Sequence, residues 1–218
     1  MNNLIALSEK LSKRLAEPLP GSAVHEPMRA TPLGLIKPKF EHQMPPKPGS
    51  VLILLYEEDG KIKFPLIKRP EYLGTHSGQI SLPGGKAEPG EDFTQTALRE
   101  GEEEIGVRTS EMKVIGRLSD FFVIPSNFMI VPVVAYSLSM PTFVPQESEV
   151  VKILEGNLDE LLRDDAVHVK EILAAKTYPM LAPHFLIEGE IVWGATAMML
   201  NELRVVIREV QTESSNYK

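Results

Sequence analysis

Apolar residues run unbroken at 51–56, without the alternation of a half-exposed strand. Such a run predicts a strand buried on both faces. Asp59-Gly60 is a turn signal, and 61–68 reads as the return strand of a hairpin. Residues 2–16 place Leu4, Ile5, Leu7, Leu11 and Leu15 near helical spacing. The segment 17–49 holds eight prolines and predicts a surface path with little regular structure. Further on, 79–82 predicts a short strand, 92–105 a helix, and 112–118 and 128–137 strands. Residues 158–163 and 167–175 read as short helices or turns. Residues 185–187 and 191–193 form a hairpin around Gly189, and 195–210 a closing helix before a frayed polar tail. Strands and helices mix without regular alternation, which predicts an α+β fold, a mixed α/β/α sandwich. The expected organisation is an extension over 1–48, one domain over 49–210 and a tail over 211–218, in line with 218 residues.

The chain has no cysteine, which excludes disulfides, thiolate metal sites and thiol nucleophiles and points to a reducing compartment, the cytoplasm. The longest apolar runs are strand-sized, so no membrane partner is expected. A net charge of -7 argues against nucleic-acid binding through a basic surface. A phosphate-bearing substrate would have to be met by metal ions or by a few local basic groups.

The helix over 92–105 carries the chemistry. Asp92 with Gln95 forms a capping-box pattern, and Gly106 stands where a left-handed C-cap belongs. Ala97, Gly101 and Ile105, with Phe93, make the core stripe. Glu100, Glu103 and Glu104 stand at i, i+3 and i+4, within an arc of about 100°. Three like charges there repel one another, and they sit at the helix end where the macrodipole disfavours anions. An acidic run is ordinarily a solvated face. Here its cost in stability favours a purpose, and clustered hard oxygen donors suit Mg²⁺ or Mn²⁺. Glu102 points away and is expected to be solvated. Gly84-Gly85, after a strand, allows close backbone approach.

Gly85, Glu91, Arg99, Glu100, Glu103, Glu104, Gly106 and Val107 match the box G-x5-E-x7-R-E-U-x-E-E-x-G-U, in which U is bulky and aliphatic. The chain thus resembles the Nudix hydrolase superfamily. It departs at Gly101, the first U, which costs a helix about 1 kcal/mol relative to alanine. The resemblance implies a loop–helix–loop on a mixed sheet and hydrolysis of a diphosphate linked to another moiety. It implies Glu100 and Glu104 as main metal ligands, with Glu103 a further ligand or a base. Arg99 would pair with Glu91 and orient Glu100, and the carbonyl of Gly84 or Gly85 would complete the metal shell.

The stretch 66–85 resembles the extension of coenzyme A diphosphatases, with Arg69, Gly78, Pro83, Gly84 and Gly85 in place. Pro70, Gly74 and Leu82 depart from it; Gly74 stands where a second arginine, a natural phosphate clamp, is expected. The resemblance implies hydrolysis of coenzyme A to 3′,5′-ADP and 4′-phosphopantetheine. ADP-ribose, NADH or a modified nucleoside triphosphate is the alternative substrate, and a non-catalytic binding module the second alternative. Arg69, His76, Gly84 and Gly85 are the substrate-binding candidates. Glu149, matching the family pattern, and Glu147 share a loop that in this family often supplies the base. The expected partner is a small dinucleotide-type molecule, and a homodimer is compatible with the chain.

Overall fold

The computed structural model of the chain describes residues 3–34, 39–71 and 76–215. Strand β1 (Thr31–Pro32) lies in the N-terminal segment, and β2 (Lys47–Glu58) and β3 (Lys61–Lys68) follow. The predicted buried run is the centre of β2. Its odd residues Val51, Ile53 and Leu55 enter one apolar cluster, and its even residues Leu52 and Leu54 enter a second on the opposite face. That double burial explains the missing alternation. The turn between β2 and β3 places Asp59 and Gly60 at φ 50° and 74°, the left-handed pair a tight hairpin requires.

Short strands β4 (Ile80–Ser81) and β5 (Gly84–Lys86) come next, then β6 (Met112–Arg117), β7 (Phe121–Val123), β8 (Phe128–Ser137) and β9 (Lys152–Asn157). The main sheet runs β4-β3-β2-β8-β6, with β5 on β2, β7 on β8 and β9 on β3. Strands β2 and β8 are parallel and their other neighbours antiparallel, so the sheet is mixed. Helix α3 (Phe93–Ile105) covers the face of Leu52 and Leu54. Helices α1 (Asn3–Arg14) and α5 (Gly194–Ser215) cover the other. The fold is therefore the α+β sandwich expected.

A second sheet is made of β1, β10 (His168–Ala174), β11 (Tyr178–Ile187) and β12 (Glu190–Trp193). It corrects the reading of 167–175 as helix or turn. Seven residues of β10 pair with β11, and the ladder prevails over weak local preference. The turn was hard to see because Ala175 and Lys176, not glycine, take φ 49° and 56°. The hairpin at Gly189 is present, with Glu188 and Gly189 both at positive φ, but β11 starts well before residue 185. The closing helix runs to Ser215 rather than fraying after Val210.

The N-terminal segment is also more ordered than its prolines suggested. Helix α2 (Ser22–His25) leads into a single 3-10 turn at Glu26–Met28. Helix α2 is held by Glu202 of α5, which is fully buried. Its carboxylate accepts from the Gly21 amide at 3.1 Å and from the Ser119 hydroxyl at 2.6 Å, and it pairs with His25 Nε2 at 2.8 Å. Helix α4 (Leu158–Leu161) follows β9 and is capped by Asn157. Among the described residues no helix is long and apolar enough to cross a membrane.

Candidate functional site

Helix α3 starts and stops where its sequence dictates. The Asp92 side chain accepts from the Gln95 amide at 2.8 Å, and Gln95 Oε1 accepts from the Asp92 amide at 2.9 Å. Gly106, at φ 75°, ends the helix and donates to the Glu102 carbonyl. Gly101 now has a physical reason. A Cβ there would stand 2.5 Å from Leu52 Cδ2, so Leu52 on β2 fills the space that a bulky aliphatic at 101 would need. Glu102 is not merely solvated: its Oε2 accepts from the Thr109 amide at 2.9 Å and hydroxyl at 2.6 Å, fastening the chain beyond the helix.

The polar face of α3 meets the strand β5. The Glu100 carboxylate lies directly on Gly85, where a Cβ would come within 2.5 Å of Glu100 Oε1. Burial raises the Glu100 carboxyl above the ordinary range; Arg99 opposes this, and the charges of Glu103 and Glu149 add to it. Glu104 is 1% exposed. Its Oε2 accepts from the Gly84 amide at 2.7 Å, and its Oε1 lies 3.6 Å from Arg69 Nη2. Burial pushes its pKa up to about 7; Arg69 and the Gly84 amide pull it down, and Glu100 and Glu149 add to the rise. Glu149 itself is exposed, in a turn between β8 and β9. Glu100, Glu104 and Glu149 therefore act on one another electrostatically, although they come from two elements.

Glu103 is placed differently. Its side chain is 58% exposed, and its Oε2 accepts from Arg99 Nη1 at 2.9 Å. Among the described residues no three His, Asp or Glu side chains converge into a ready-made cation cage. The closest arrangement is the pair Glu100 and Glu104 over the glycines. Hard carboxylate oxygens, those of Glu104 nearly dry and its carboxyl raised chiefly by burial, fit a divalent cation such as Mg²⁺ or Mn²⁺.

Arg99 spreads its guanidinium over the whole loop. It donates from Nε and Nη2 to the two oxygens of Glu91 at 2.7 and 3.1 Å, and from Nη1 to Glu100 at 3.0 Å. Nη2 also reaches the Lys86 carbonyl at 3.2 Å. The bidentate grip of Arg99 holds Glu91 down to about pKa 2. Arg69 donates to Ser81 Oγ and to the Gly84 carbonyl, both at 3.1 Å. His76 Nδ1 pairs with Gln79 Oε1 at 3.1 Å, and burial lowers its pKa, with Arg69 nearby assisting. Gly74 lies outside the described residues. The roles of Ser81 in holding Arg69 and of Glu102 in holding Thr109 were not read from the sequence. No local pattern announces a side chain that bonds across strands.

A box of glycine, arginine and glutamates on a loop–helix–loop defines a class, and the comparisons agree with it. The profile of the NUDIX domain matches residues 46–181, and the chain belongs to that family. It is 30% identical over 168 residues to Nudix hydrolase 3 of Caenorhabditis elegans, covering 70% of each protein. It is 34% identical over 169 residues to the protein named Nudix hydrolase 22, chloroplastic, of Arabidopsis thaliana, covering 74% of this chain and 56% of that one. The chain thus spans little more than half the length of the Arabidopsis relative. Among solved structures, a C. elegans Ap4A hydrolase binary complex matches with a TM-score of 0.48 and 15% identity, over 78% of this chain and 98% of that one.

Proposed function

We propose that this protein hydrolyses the diphosphate linkage of a nucleoside diphosphate joined to a second moiety, with Mg²⁺ or Mn²⁺ as cofactor. Coenzyme A or a derivative is the favoured substrate, and the products would be 3′,5′-ADP and 4′-phosphopantetheine. The observation that carries the reading is the placement of two carboxylates of one helix on the glycine strand, Glu100 lying on Gly85 and the buried Glu104 accepting from the Gly84 amide, with the charge of Glu149 acting on both. Family membership supports the hydrolase class. The resemblance of residues 66–85 to coenzyme A diphosphatases supports the substrate.

In this reading Glu100 and Glu104 hold the cation, and the Gly84 or Gly85 carbonyl adds to them. Glu103 joins them once its side chain leaves Arg99. When bound, the cation neutralises diphosphate charge and makes water easier to deprotonate. Glu149 takes the proton of the attacking water, Glu103 and Glu147 being the competing bases. Arg99 orients Glu100 and ties down the loop through Glu91. Arg69 and His76 face the substrate phosphates, and an anion drawn to Arg69 would come to rest beside Glu104. Residues 49–210 form the catalytic unit, and 1–48 an extension packed on it. The protein works in the cytoplasm on a small dinucleotide-type molecule, without nucleic acid or membrane, and a homodimer is compatible with this.

Incubation with coenzyme A and Mg²⁺, followed by mass analysis, tests the reading. The expected products are the two named above, absent with Glu100→Gln. ADP-ribose, NADH and modified nucleoside triphosphates belong in the same panel, ranked by kcat/KM. Tight binding of a nucleotide with no product from any of them would replace the enzyme with a binding module.

A further inference from the structure

The turn carrying Glu149 is short and exposed, and it is held from outside at both ends. Upstream, the Val144 amide donates to the Ile105 carbonyl at 2.9 Å and the Gln146 amide to the Glu104 carbonyl at 3.1 Å. These are carbonyls of the last turn of α3, which the helix leaves without partners of its own. Gly106 allows the approach: a Cβ there would stand 2.7 Å from Val144 Cβ and 2.9 Å from the Val144 carbonyl oxygen. Downstream, the Val151 amide donates to the Lys68 carbonyl at 2.9 Å, next to Arg69, and the chain enters β9. Between the two ends, the Gln146 carbonyl accepts from the amides of Glu149 at 2.9 Å and Val150 at 2.8 Å. Val150 is buried in the cluster that contains Leu52 and Ile105. The turn thus bridges the helix that carries Glu104 and the strand that leads to Arg69.

We infer that Gln146 is a positioning residue: its main chain, tied to the carbonyl of Glu104 and to the amide of Glu149, sets where Glu149 stands relative to Glu100 and Glu104. The inference rests on the assignment of Glu149 as the base. Residue 104 then serves twice, through its carboxylate in the site and through its carbonyl as the anchor of the turn opposite. The side chain of Gln146 takes no part, so substitutions that keep the amide should be tolerated, while proline, which lacks the N–H, should not.

A double-mutant cycle tests this on the nucleotide cleaved fastest in the panel above. Gln146→Pro should lower kcat by about tenfold or more, the scale at which a misplaced general base is felt. KM and the melting temperature should stay near those of the unaltered protein. In a Glu149→Gln background the same change should have no further effect on kcat. Equal losses in both backgrounds would mean that Gln146 acts on the fold generally, and the inference would fall while the base assignment stood. Full kcat in Glu149→Gln alone would overturn the base assignment, and the inference with it. Should Gln146→Pro not fold, Gly106→Asn is the second probe. Asparagine tolerates the left-handed conformation, yet its Cβ would press on Val144; the same cycle should give the same non-additivity. Hydrogen exchange supplies a readout independent of turnover. The amides of Val144 and Gln146 should be protected in the unaltered metal-free protein; that of Val144 should be exposed in either variant and that of Gln146 in Gly106→Asn, and fast exchange in the unaltered protein would overturn the anchoring.

Discussion

Glu104→Gln should make the metal-free protein more stable at alkaline pH and at the same time inactive. The carboxylate is 1% exposed and burial pushes its pKa from 4.5 up to about 7. A folded-state pKa above the unfolded one means that the folded chain binds the proton more tightly. Stability is therefore full below about pH 4.5 and is lost as pH rises towards 7. Each pKa unit corresponds to about 1.4 kcal/mol, so the loss is roughly 3 kcal/mol above pH 7. Glutamine removes that titration. It keeps an oxygen to accept from the Gly84 amide, as the protonated carboxyl does. The net gain should be about 3 kcal/mol at pH 8 in chelator, shrinking towards pH 5. Urea denaturation at the two pH values measures it. Saturating Mg²⁺ at pH 8 should stabilise the unaltered protein, by about 2.7 kcal/mol at a hundred times its Kd, and the variant, at the same concentration, by about half of that or less. A variant less stable at pH 8 in chelator, or a difference that does not change with pH, would refute the reasoning.

Three further outcomes are expected. Burial works to raise Glu202, but its bonds with His25 and Ser119 outweigh it and the net shift is downward. The stability it supplies is present above the ordinary carboxylate pKa and is lost as pH falls through the lower folded value; hydrogen exchange over residues 3–34 should accelerate in acid, and Glu202→Gln should flatten that dependence. Gly101→Leu should cost about 1–3 kcal/mol by overpacking against Leu52, and Leu52→Ala should return part of it; a neutral Gly101→Leu, read from its melting temperature, would contradict the contact. Arg69→Met removes the donors to Ser81 and Gly84 and the cation beside Glu104, so kcat/KM should fall by about a hundredfold, and Arg69→Lys should not restore it, since lysine lacks the guanidinium fork.

The parts of the fold legible in the sequence are those whose signals are local. The run at 51–56, the Asp59-Gly60 turn, and the Asp92, Gln95 and Gly106 caps each involve neighbours in sequence, and each has the structure its residues predict. What escaped depends on distant partners. Strand β9 needs β3, and its Gly156 leaves room for the ring of Phe64 opposite. Strand β10 needs β11, and its turn uses left-handed Ala175 and Lys176. Order in the N-terminal segment comes from Glu202, more than 170 residues away. The site divides in the same way. Helical periodicity brings Glu100 and Glu104 to one face, but it does not reveal that Arg99 draws Glu103 outward. Nor could it show that Gly101 answers to Leu52, or that Gln146 reaches the Glu104 carbonyl through its main chain.

The central claim is that Glu100 and Glu104 together hold a divalent cation. Titration of the metal-free protein with Mn²⁺, followed by electron paramagnetic resonance, tests it without any substrate. The account predicts saturable binding that weakens at least about tenfold in Glu100→Gln and in Glu104→Gln, as expected when one anionic oxygen ligand is lost. Mn²⁺ affinity equal in all three folded proteins would contradict it.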